Sequence, residues 1–198
     1  MRRGYVRHHH LLESLALTSA IRSMQRSGLE HLIRVSGEIA ADDEIIIIGS
    51  QAILGQFPNA PVRLLSSMEA DVYPKNHPEK ADKVDGAIGE GSSFHELHGY
   101  YAQGVGKNTA VLPVDWESRL VAVSNKNTNG VTGYCLEVHD LAISKMIAMR
   151  PKDLEFVQEL VRHDMIDKKT MLRRLRQTDL ESSIRRIAQA RINSFFKS

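Results

Sequence analysis

Cysteine is almost missing from this chain, since Cys135 is the only one among 198 residues. A single cysteine excludes an intramolecular disulfide framework and a metal cluster held by thiolates. We therefore expect a protein of the reducing cytoplasm, in which Cys135 is packed in the interior and is not a nucleophile.

Long hydrophobic runs are also missing, because no apolar stretch approaches the roughly 20 residues that span a bilayer. The first 20 residues combine a basic start with leucines, as an export signal does. Three histidines (8–10) and Glu13 interrupt this stretch, and its leucines fall at helical spacing. We therefore expect an amphipathic helix here and no membrane partner.

The net charge is only +2, but it is unevenly distributed. Residues 162–198 carry ten Lys and Arg against four acidic residues, a net charge of +6. Residues 1–10 hold three arginines, and residues 11–161 have a net charge of −7. The basic end is either an ordinary solvated helix face or a surface that binds a polyanion beside an acidic body.

The spacing of apolar residues predicts a mixture of helices and strands. Four isoleucines, Ile45–Ile48, end at Gly49 and predict a buried strand. The other predicted elements before residue 136 are two helices in 10–40 that break at 27–28, a helix over 51–57, a strand over 61–74, a helix over 79–88, and strands near 99–105, 109–114 and 119–123. From residue 136 onward only helices are predicted, over 136–149, from Pro151, over 165–176 and over 178–196.

Two short segments have the residue types that phosphoryl transfer needs. Gly49 and Ser50 stand where a strand ends and a helix begins, which favours close approach of a phosphate. On the next strand, Glu69 and Asp71 are two residues apart and so share one face. Such a pair suits Mg²⁺ or Mn²⁺. Taken singly, the first segment is also typical of an ordinary turn, and the second of an exposed edge strand.

In this order, the two segments resemble the nucleotidyltransferase superfamily with the DNA polymerase beta-type fold. The resemblance implies an α+β fold with a small mixed β-sheet core in residues 1–135, N-terminal helices included, and a helical region in 136–198. It also implies that Glu69 and Asp71 are catalytic metal ligands, and that Gly49 and Ser50 bind the nucleotide.

A later stretch, from Leu136 to Leu154, looks like the helix pair that follows the catalytic domain in abortive-infection (AbiEii-type) toxin nucleotidyltransferases. The pattern comprises Asp140-Leu141, Lys145, Arg150, and Lys152-Asp153-Leu154. The resemblance implies that Lys145 and Lys152 bind the triphosphate, and that Asp140 and Asp153 organise the site.

The chain departs from this superfamily in two ways. Eighteen residues separate Ser50 from Glu69, more than is usual, so an extra loop is expected after the first helix. The third metal carboxylate is not marked by a clear motif. Asp115 is the candidate, with Glu117 behind it, although the nearby Pro113 argues against a central strand.

The resemblance predicts a metal-dependent enzyme that moves a nucleoside monophosphate from a nucleoside triphosphate (NTP) to an acceptor hydroxyl. Toxin relatives imply a tRNA 3′ end as acceptor, with the basic C-terminal helices following its phosphates, and a cognate antitoxin as a further partner. A small molecule or a protein hydroxyl stays open as the acceptor. The alternative is an inactive member of the fold that binds RNA or a toxin–antitoxin partner.

Aromatic and histidine side chains gather between residues 94 and 101. His95 and His98 have no cysteine partner or HExxH motif for a zinc site, so they are candidates for lining a cleft. Tyr100 and Tyr101 are candidates for stacking on a base, and one of the two is expected in the core.

Overall fold

The computed structural model describes residues 23–197. The first predicted helix, within residues 10–24, lies almost wholly outside this range. The described chain is a mixed α+β fold, as predicted. None of its helices is both long and apolar enough to cross a membrane.

One five-stranded mixed sheet forms the centre of the molecule. The strands are β1 (Glu44–Ile47), β2 (Glu69–Pro74), β3 (Tyr101–Gly104), β4 (Val121–Val123) and β5 (Thr132–Cys135). Their order across the sheet is β3-β2-β1-β5-β4. β1 runs antiparallel to β2 and parallel to β5, β3 is parallel to β2, and β4 is antiparallel to β5.

Eight α-helices surround the sheet in the described residues. They are α1 (Arg26–Ala40), α2 (Ile53–Gln56), α3 (Ala81–Ile88), α4 (Ser93–His98), α5 (Val138–Ala148), α6 (Pro151–Arg162), α7 (Lys168–Arg176) and α8 (Ser182–Phe195). Short 3₁₀ turns occur at Ser50–Ala52, Val62–Leu65, Pro78–Lys80 and Trp116–Arg119.

The two faces of the sheet differ in what covers them. The face that carries Ala70 and Val72 is fully buried, and α1 packs on it so closely that a Cβ added at Gly133 would collide with Ile33. Because strand side chains alternate, Glu69 and Asp71 lie on the opposite face. The hydrophobic core therefore lies on the buried face of the sheet, and the two acidic side chains lie on the other face.

The polypeptide turns sharply between α5 and α6. Met149 adopts a left-handed conformation (φ 60°) and ends α5, and Pro151 begins α6. Proline suits a first helical turn because that position needs no amide hydrogen. The turn places Arg150 between the end of α5 and the start of α6.

Several predicted elements differ from the structure. Residues 23–25 are not helical and α1 begins at Arg26, so the break predicted at 27–28 lies a few residues too far along the chain. The strand predicted over 61–74 begins only at Glu69, because Val62–Leu65 forms a 3₁₀ turn that buries Leu64 and Leu65. No strand forms at 109–114, and α4 was not predicted.

Candidate active site

The site begins at the corner where β1 ends. Gly49 is extended (φ −82°, ψ −170°), and the Ile48 amide donates to the Asp71 carbonyl at 3.1 Å. A Cβ added at Gly49 would collide with the Asp71 carboxylate. Glycine is required at this corner because the Asp71 side chain occupies the space of any larger residue.

The β2 carboxylates share one face of the sheet, as predicted. Ala70 and Val72 are fully buried on the other face, whereas Glu69 and Asp71 are only partly buried. Burial, followed by the neighbouring Glu69 carboxylate, raises the pKa of Asp71 to about 7. The pair is therefore an uncompensated acidic site.

Tyr101 holds the first of these carboxylates in place. Its hydroxyl donates to Glu69 Oε2 at 2.9 Å from the adjacent strand β3. Burial and this hydrogen bond raise the pKa of Tyr101, so it stays a donor. The His95 ring lies 4.6 Å from the Tyr101 ring and supports it from α4. The sequence indicated Tyr101 only as a stacking residue.

Lys145 reaches the Gly-Ser corner from α5. Its Nζ donates to Ser50 Oγ at 2.9 Å and to Asp153 Oδ1 at 3.1 Å. It also lies 4.6 Å from the centroid of the Phe156 ring. Burial lowers the pKa of Lys145, and the Asp153 charge counteracts this effect. The structure therefore places a buried ammonium group beside Ser50.

Arg150 adds a second cation that the predicted site did not include. Its guanidinium donates to both Asp153 oxygens, at 2.6 and 3.2 Å. Burial alone would raise the pKa of Asp153, but Arg150 and Lys145 hold it below its usual range. The Arg150 side chain is 61% exposed, and its charge acts on Asp71 and Glu69. An Arg-Pro pair followed by Asp at i+3 was the available sequence signal.

Asp140 is fully buried away from the Lys145 cluster. Arg119 Nε donates to its Oδ2 at 2.7 Å, and Arg174 Nε lies 3.1 Å from its Oδ1 without hydrogen-bond alignment. Burial raises the pKa of Asp140 against the pull of both arginines. Asp140 thus ties α5 to α7 and to the turn before β4.

The remaining predicted residues are not brought to the carboxylate pair. Asp115 is exposed at the start of a 3₁₀ turn, outside the sheet, and its carbonyl accepts from Arg119. Lys152 is exposed on the first turn of α6. Within residues 23–197, no three metal-ligating side chains gather at one point. The structure therefore does not gather Asp115 with Glu69 and Asp71, and its role as the third metal carboxylate stays a prediction.

The register of β3 explains what stands near the pair instead. Tyr101 pairs with Glu69 and Gln103 pairs with Asp71, so these two side chains share the face of the acids. A phenol and an amide occupy the adjacent strand where a third acid would have been close. The site accordingly has two carboxylates in the described chain.

The other residues singled out in the sequence lie elsewhere. The Tyr100 hydroxyl lies 2.9 Å from His31 Nδ1, in a ring cluster that also contains Phe94 and His98. Cys135 is completely buried, and burial raises its pKa to about 12, which fits a packed thiol.

A divalent cation fits the residues that are present. Two carboxylates on one face supply hard oxygen ligands. Burial first, and the Glu69 carboxylate second, raise the pKa of Asp71, and a cation between the two groups would offset their repulsion. Mg²⁺ commonly uses one or two protein carboxylates and takes its other ligands from water and substrate phosphates. The absence of a third acid from the cluster is compatible with such a site.

A comparison with protein families indicates nucleotidyl transfer. Residues 29–196 match the model of a family described as a nucleotidyltransferase of unknown function (DUF6036). The chain belongs to this family. No curated protein and no solved structure matches it. The matched residues include the sheet, the acidic pair, Lys145 of α5 and Arg150 of the α5–α6 turn.

Proposed function

We propose that this family member transfers a nucleoside monophosphate from an NTP to an acceptor hydroxyl. The observation that carries the proposal is the 2.9 Å hydrogen bond between Lys145 and Ser50. It joins the cations of the α5–α6 turn to the Gly-Ser corner, and Gly49 in turn contacts Asp71. Phosphate-binding and acidic groups thus meet in one place.

The cationic side of this cluster is suited to the leaving pyrophosphate. Ser50 and Lys145 would bind phosphate oxygens, and Arg150 would add a largely exposed guanidinium that Asp153 holds in place. Fixed cations stabilise charge that develops on the leaving group. By the family resemblance, Lys152 would also bind the triphosphate. Asp153 positions Lys145 and Arg150, and Asp140 would organise the site indirectly by holding α5 to α7.

The acidic side would hold Mg²⁺ or Mn²⁺ through Glu69 and Asp71. When bound, such an ion lowers the pKa of an attacking hydroxyl and balances charge on the transferred phosphoryl group. Tyr101 keeps Glu69 oriented for this role through its hydrogen bond. Gly49 leaves room for Asp71 at the phosphate-binding corner.

For the acceptor, we propose the 3′ end of an RNA, with tRNA as the first choice. The support is the net charge of +6 in residues 162–198, with Arg173 and Arg176 exposed on α7. Toxin-like activity on such ends would arrest growth of a cell that expresses the protein, and a cognate antitoxin would relieve the arrest. We expect expression of the wild type to arrest growth and expression of Asp71→Asn to leave growth unchanged.

The test is transfer of label from each of four α-labelled NTPs in Mg²⁺, with total RNA or protein extract as acceptor. Asp71→Asn should reduce transfer by about 100-fold or more, since a charged group at the reacting phosphoryl is lost. Asp82→Asn makes the same change at an exposed residue of α3 and should retain full transfer. Equal transfer by both variants would refute the assignment.

A second candidate is an RNA-binding module that no longer turns over. The observation that favours it is the two-carboxylate site. Such a protein would bind RNA with an affinity that falls with salt and that is unchanged in Asp71→Asn. Mg²⁺-dependent labelling of RNA by the wild-type chain excludes this alternative.

A further inference from the structure

A cavity lies on the same face of the sheet as the acidic pair. It has a volume of about 220 Å³. Its lining residues come from the sheet and from the loop before β4, and they are Ile46, Tyr73, Lys75, Lys107, Glu117, Leu120 and Tyr134. Ile46 pairs with both Tyr73 and Tyr134, so the three side chains share one face of the sheet. That face is also the face of Asp71, two residues before Tyr73.

The position of the cavity along β2 relates it to the reaction. β1 runs antiparallel to β2 and ends towards Ser50, so Tyr73 lies beyond Asp71 on the side away from Ser50 and Lys145. Two residues of a strand span about 7 Å. Asp71 thus lies between the cationic cluster and the cavity.

In phosphoryl transfer the attacking and leaving oxygens are roughly in line. If the pyrophosphate leaves towards Lys145 and Arg150, the acceptor hydroxyl approaches from the opposite side. The cavity at Tyr73 is on that side, on the same face of the sheet as Asp71. Its occupant would present a hydroxyl to the reacting phosphorus.

The lining chemistry fits a flat, polar ring. Tyr73 is 3% exposed, and burial, followed by the nearby Glu117 charge, raises its pKa to about 12, so its hydroxyl keeps its proton. Tyr134 supplies a second ring, with Lys75 Nζ held 4.6 Å from its centroid. Glu117 at the rim accepts hydrogen bonds, as a carboxylate does from the amino group of a base. The volume is below the roughly 300–1,000 Å³ of sites for drug-sized ligands, so a single ring system fits better than a whole nucleotide.

The loop that forms the rim is fixed to the basic helices. The Val114 amide donates to the Gln177 carbonyl at 2.8 Å, directly after α7. Arg119 and Arg174 meet at Asp140, as described above. Arg173 and Arg176 of α7 are exposed. A nucleotide chain that leaves the cavity over this loop would therefore meet positive charge.

We propose that this cavity, formed by Tyr73, Tyr134, Leu120 and Glu117, binds the nucleobase of the acceptor, whose hydroxyl is then presented at Asp71. The proposal rests on the proposed transfer reaction for the role of the occupant. The base comes from the end of an RNA or from a free nucleoside.

Trp116, the only tryptophan of the chain, precedes Glu117 in the same 3₁₀ turn, so its fluorescence serves as the probe of occupancy. Its fluorescence would be titrated with the four nucleosides and with a short RNA bearing a free 3′ end, without NTP or metal. Tyr134→Ala should weaken binding about tenfold, because base–aromatic stacking is lost. Tyr100→Ala changes a similarly half-buried tyrosine in the distant ring cluster and should bind within twofold of the wild type.

Glu117→Gln changes an exposed side chain and keeps the packing intact. It should reduce the preference for adenosine, cytidine and guanosine over uridine, which lacks an amino group. Saturable binding of free nucleosides identifies the base alone as sufficient, whereas binding of the RNA alone identifies the RNA end. No change in the Trp116 signal with either probe, or equal affinity in the wild type, Tyr134→Ala and Glu117→Gln, would overturn the proposal.

Transfer kinetics separate this proposal from the proposed reaction. Tyr134→Ala should raise KM for the acceptor and leave KM for the NTP unchanged. An increase in KM for the NTP alone would overturn the acceptor assignment. Cavity-dependent nucleoside binding without any transfer would refute the reaction and retain the base-binding site.

Discussion

A buried carboxyl group beside another carboxylate holds its proton more firmly than a free aspartate does, and Asp71 is such a group. Its pKa rises from the model-compound value of 3.8 to about 7 in the folded chain. The folded state therefore binds an additional proton between these two pH values. The ionised form costs stability above pH 7, and this cost disappears as the pH falls towards 4.

Asp71→Asn should accordingly stabilise the metal-free fold at pH 8 by about 1–3 kcal/mol, and by much less at pH 5. Urea unfolding in EDTA at the two pH values measures the difference. Mg²⁺ should raise the stability of the wild type and not that of Asp71→Asn. The exposed control Asp82→Asn should behave as the wild type, and a pH-independent gain in Asp71→Asn would contradict the argument.

We expect Tyr101 to affect metal binding by orienting Glu69, and to contribute little to the stability of the fold. Tyr101→Phe removes the 2.9 Å hydrogen bond and keeps the ring that contacts His95. Loss of a group that orients a metal ligand typically lowers metal affinity 10–100-fold. We expect a rise of that order in the Mg²⁺ concentration for half-maximal transfer, with part of the loss recovered at high Mg²⁺. Tyr100→Phe makes the same change away from Glu69 and should leave the Mg²⁺ requirement unchanged.

At the scale of elements, the α5–α6 turn combines a structural contact with a binding contact. Lys145 is 7% exposed and Asp153 is fully buried, whereas Arg150 reaches the same carboxylate from solvent. Removing one partner of a buried pair leaves an uncompensated charge, but an exposed partner contributes little to stability. The two pairs with Asp153 should therefore respond differently to mutation.

Asp153→Asn should lower the free energy of unfolding by about 3 kcal/mol, because the buried Lys145 then lacks its counter-charge. Arg150→Gln should change it by less than about 1 kcal/mol and raise KM for the NTP several-fold. Chemical unfolding and NTP titration of the two variants check this separation. A large loss of stability in Arg150→Gln with unchanged KM would contradict it.

Elements with a strong local signal were predicted well, and those decided by long-range packing were not. The isoleucine run of β1 and the Pro151 start of α6 required only neighbouring residues. Val62–Leu65 has the composition of a strand. In the structure it belongs to the extra loop after Ser50 and forms a 3₁₀ turn that places Leu64 and Leu65 in the core. The helix break predicted at 27–28 lies at 23–25, and Gly28 stands in the first turn of α1, where a Cβ would come within 3.3 Å of the Tyr100 ring.

The candidate site shows the same division. Glu69 and Asp71 were predicted to share a face from the two-residue period of a strand alone, and the structure agrees. Tyr101 was not predicted as a hydrogen-bond partner of Glu69, because their proximity depends on the β2–β3 register. The cavity was not predicted at all, because its lining residues come from five separate segments of the chain.

At the scale of the whole molecule, charge separates the acidic body from the basic helices. Residues 162–198 have a net charge of +6, and α7 contributes several exposed cations to it. Binding that neutralises phosphates releases counterions, so affinity falls with salt in proportion to the number of contacts. The proposed RNA acceptor should therefore bind in a salt-dependent way.

Combined Arg173→Gln and Arg176→Gln should reduce RNA affinity and lower the slope of log K against log salt by about 2. Lys83→Gln with Lys126→Gln removes the same charge from exposed sites outside α7 and should leave the slope unchanged. Filter binding at several salt concentrations provides the slopes. Equal reductions in both double variants would indicate a general charge effect without a specific RNA path.

The side chains of strand β2 alternate between two faces of the sheet. Glu69, Asp71 and Tyr73 lie on the face of the candidate site and the cavity, and Ala70 and Val72 lie in the core. Inserting or deleting one residue among them would exchange the two sets and force carboxylates into the core. The two-residue period of the strand must therefore be kept for the side chains to stay on their faces. Natural variants can therefore alter the metal site and the cavity only by substitutions or by insertions of two residues. A related sequence with a single-residue insertion or deletion in β2 is expected to lack both the metal site and the cavity.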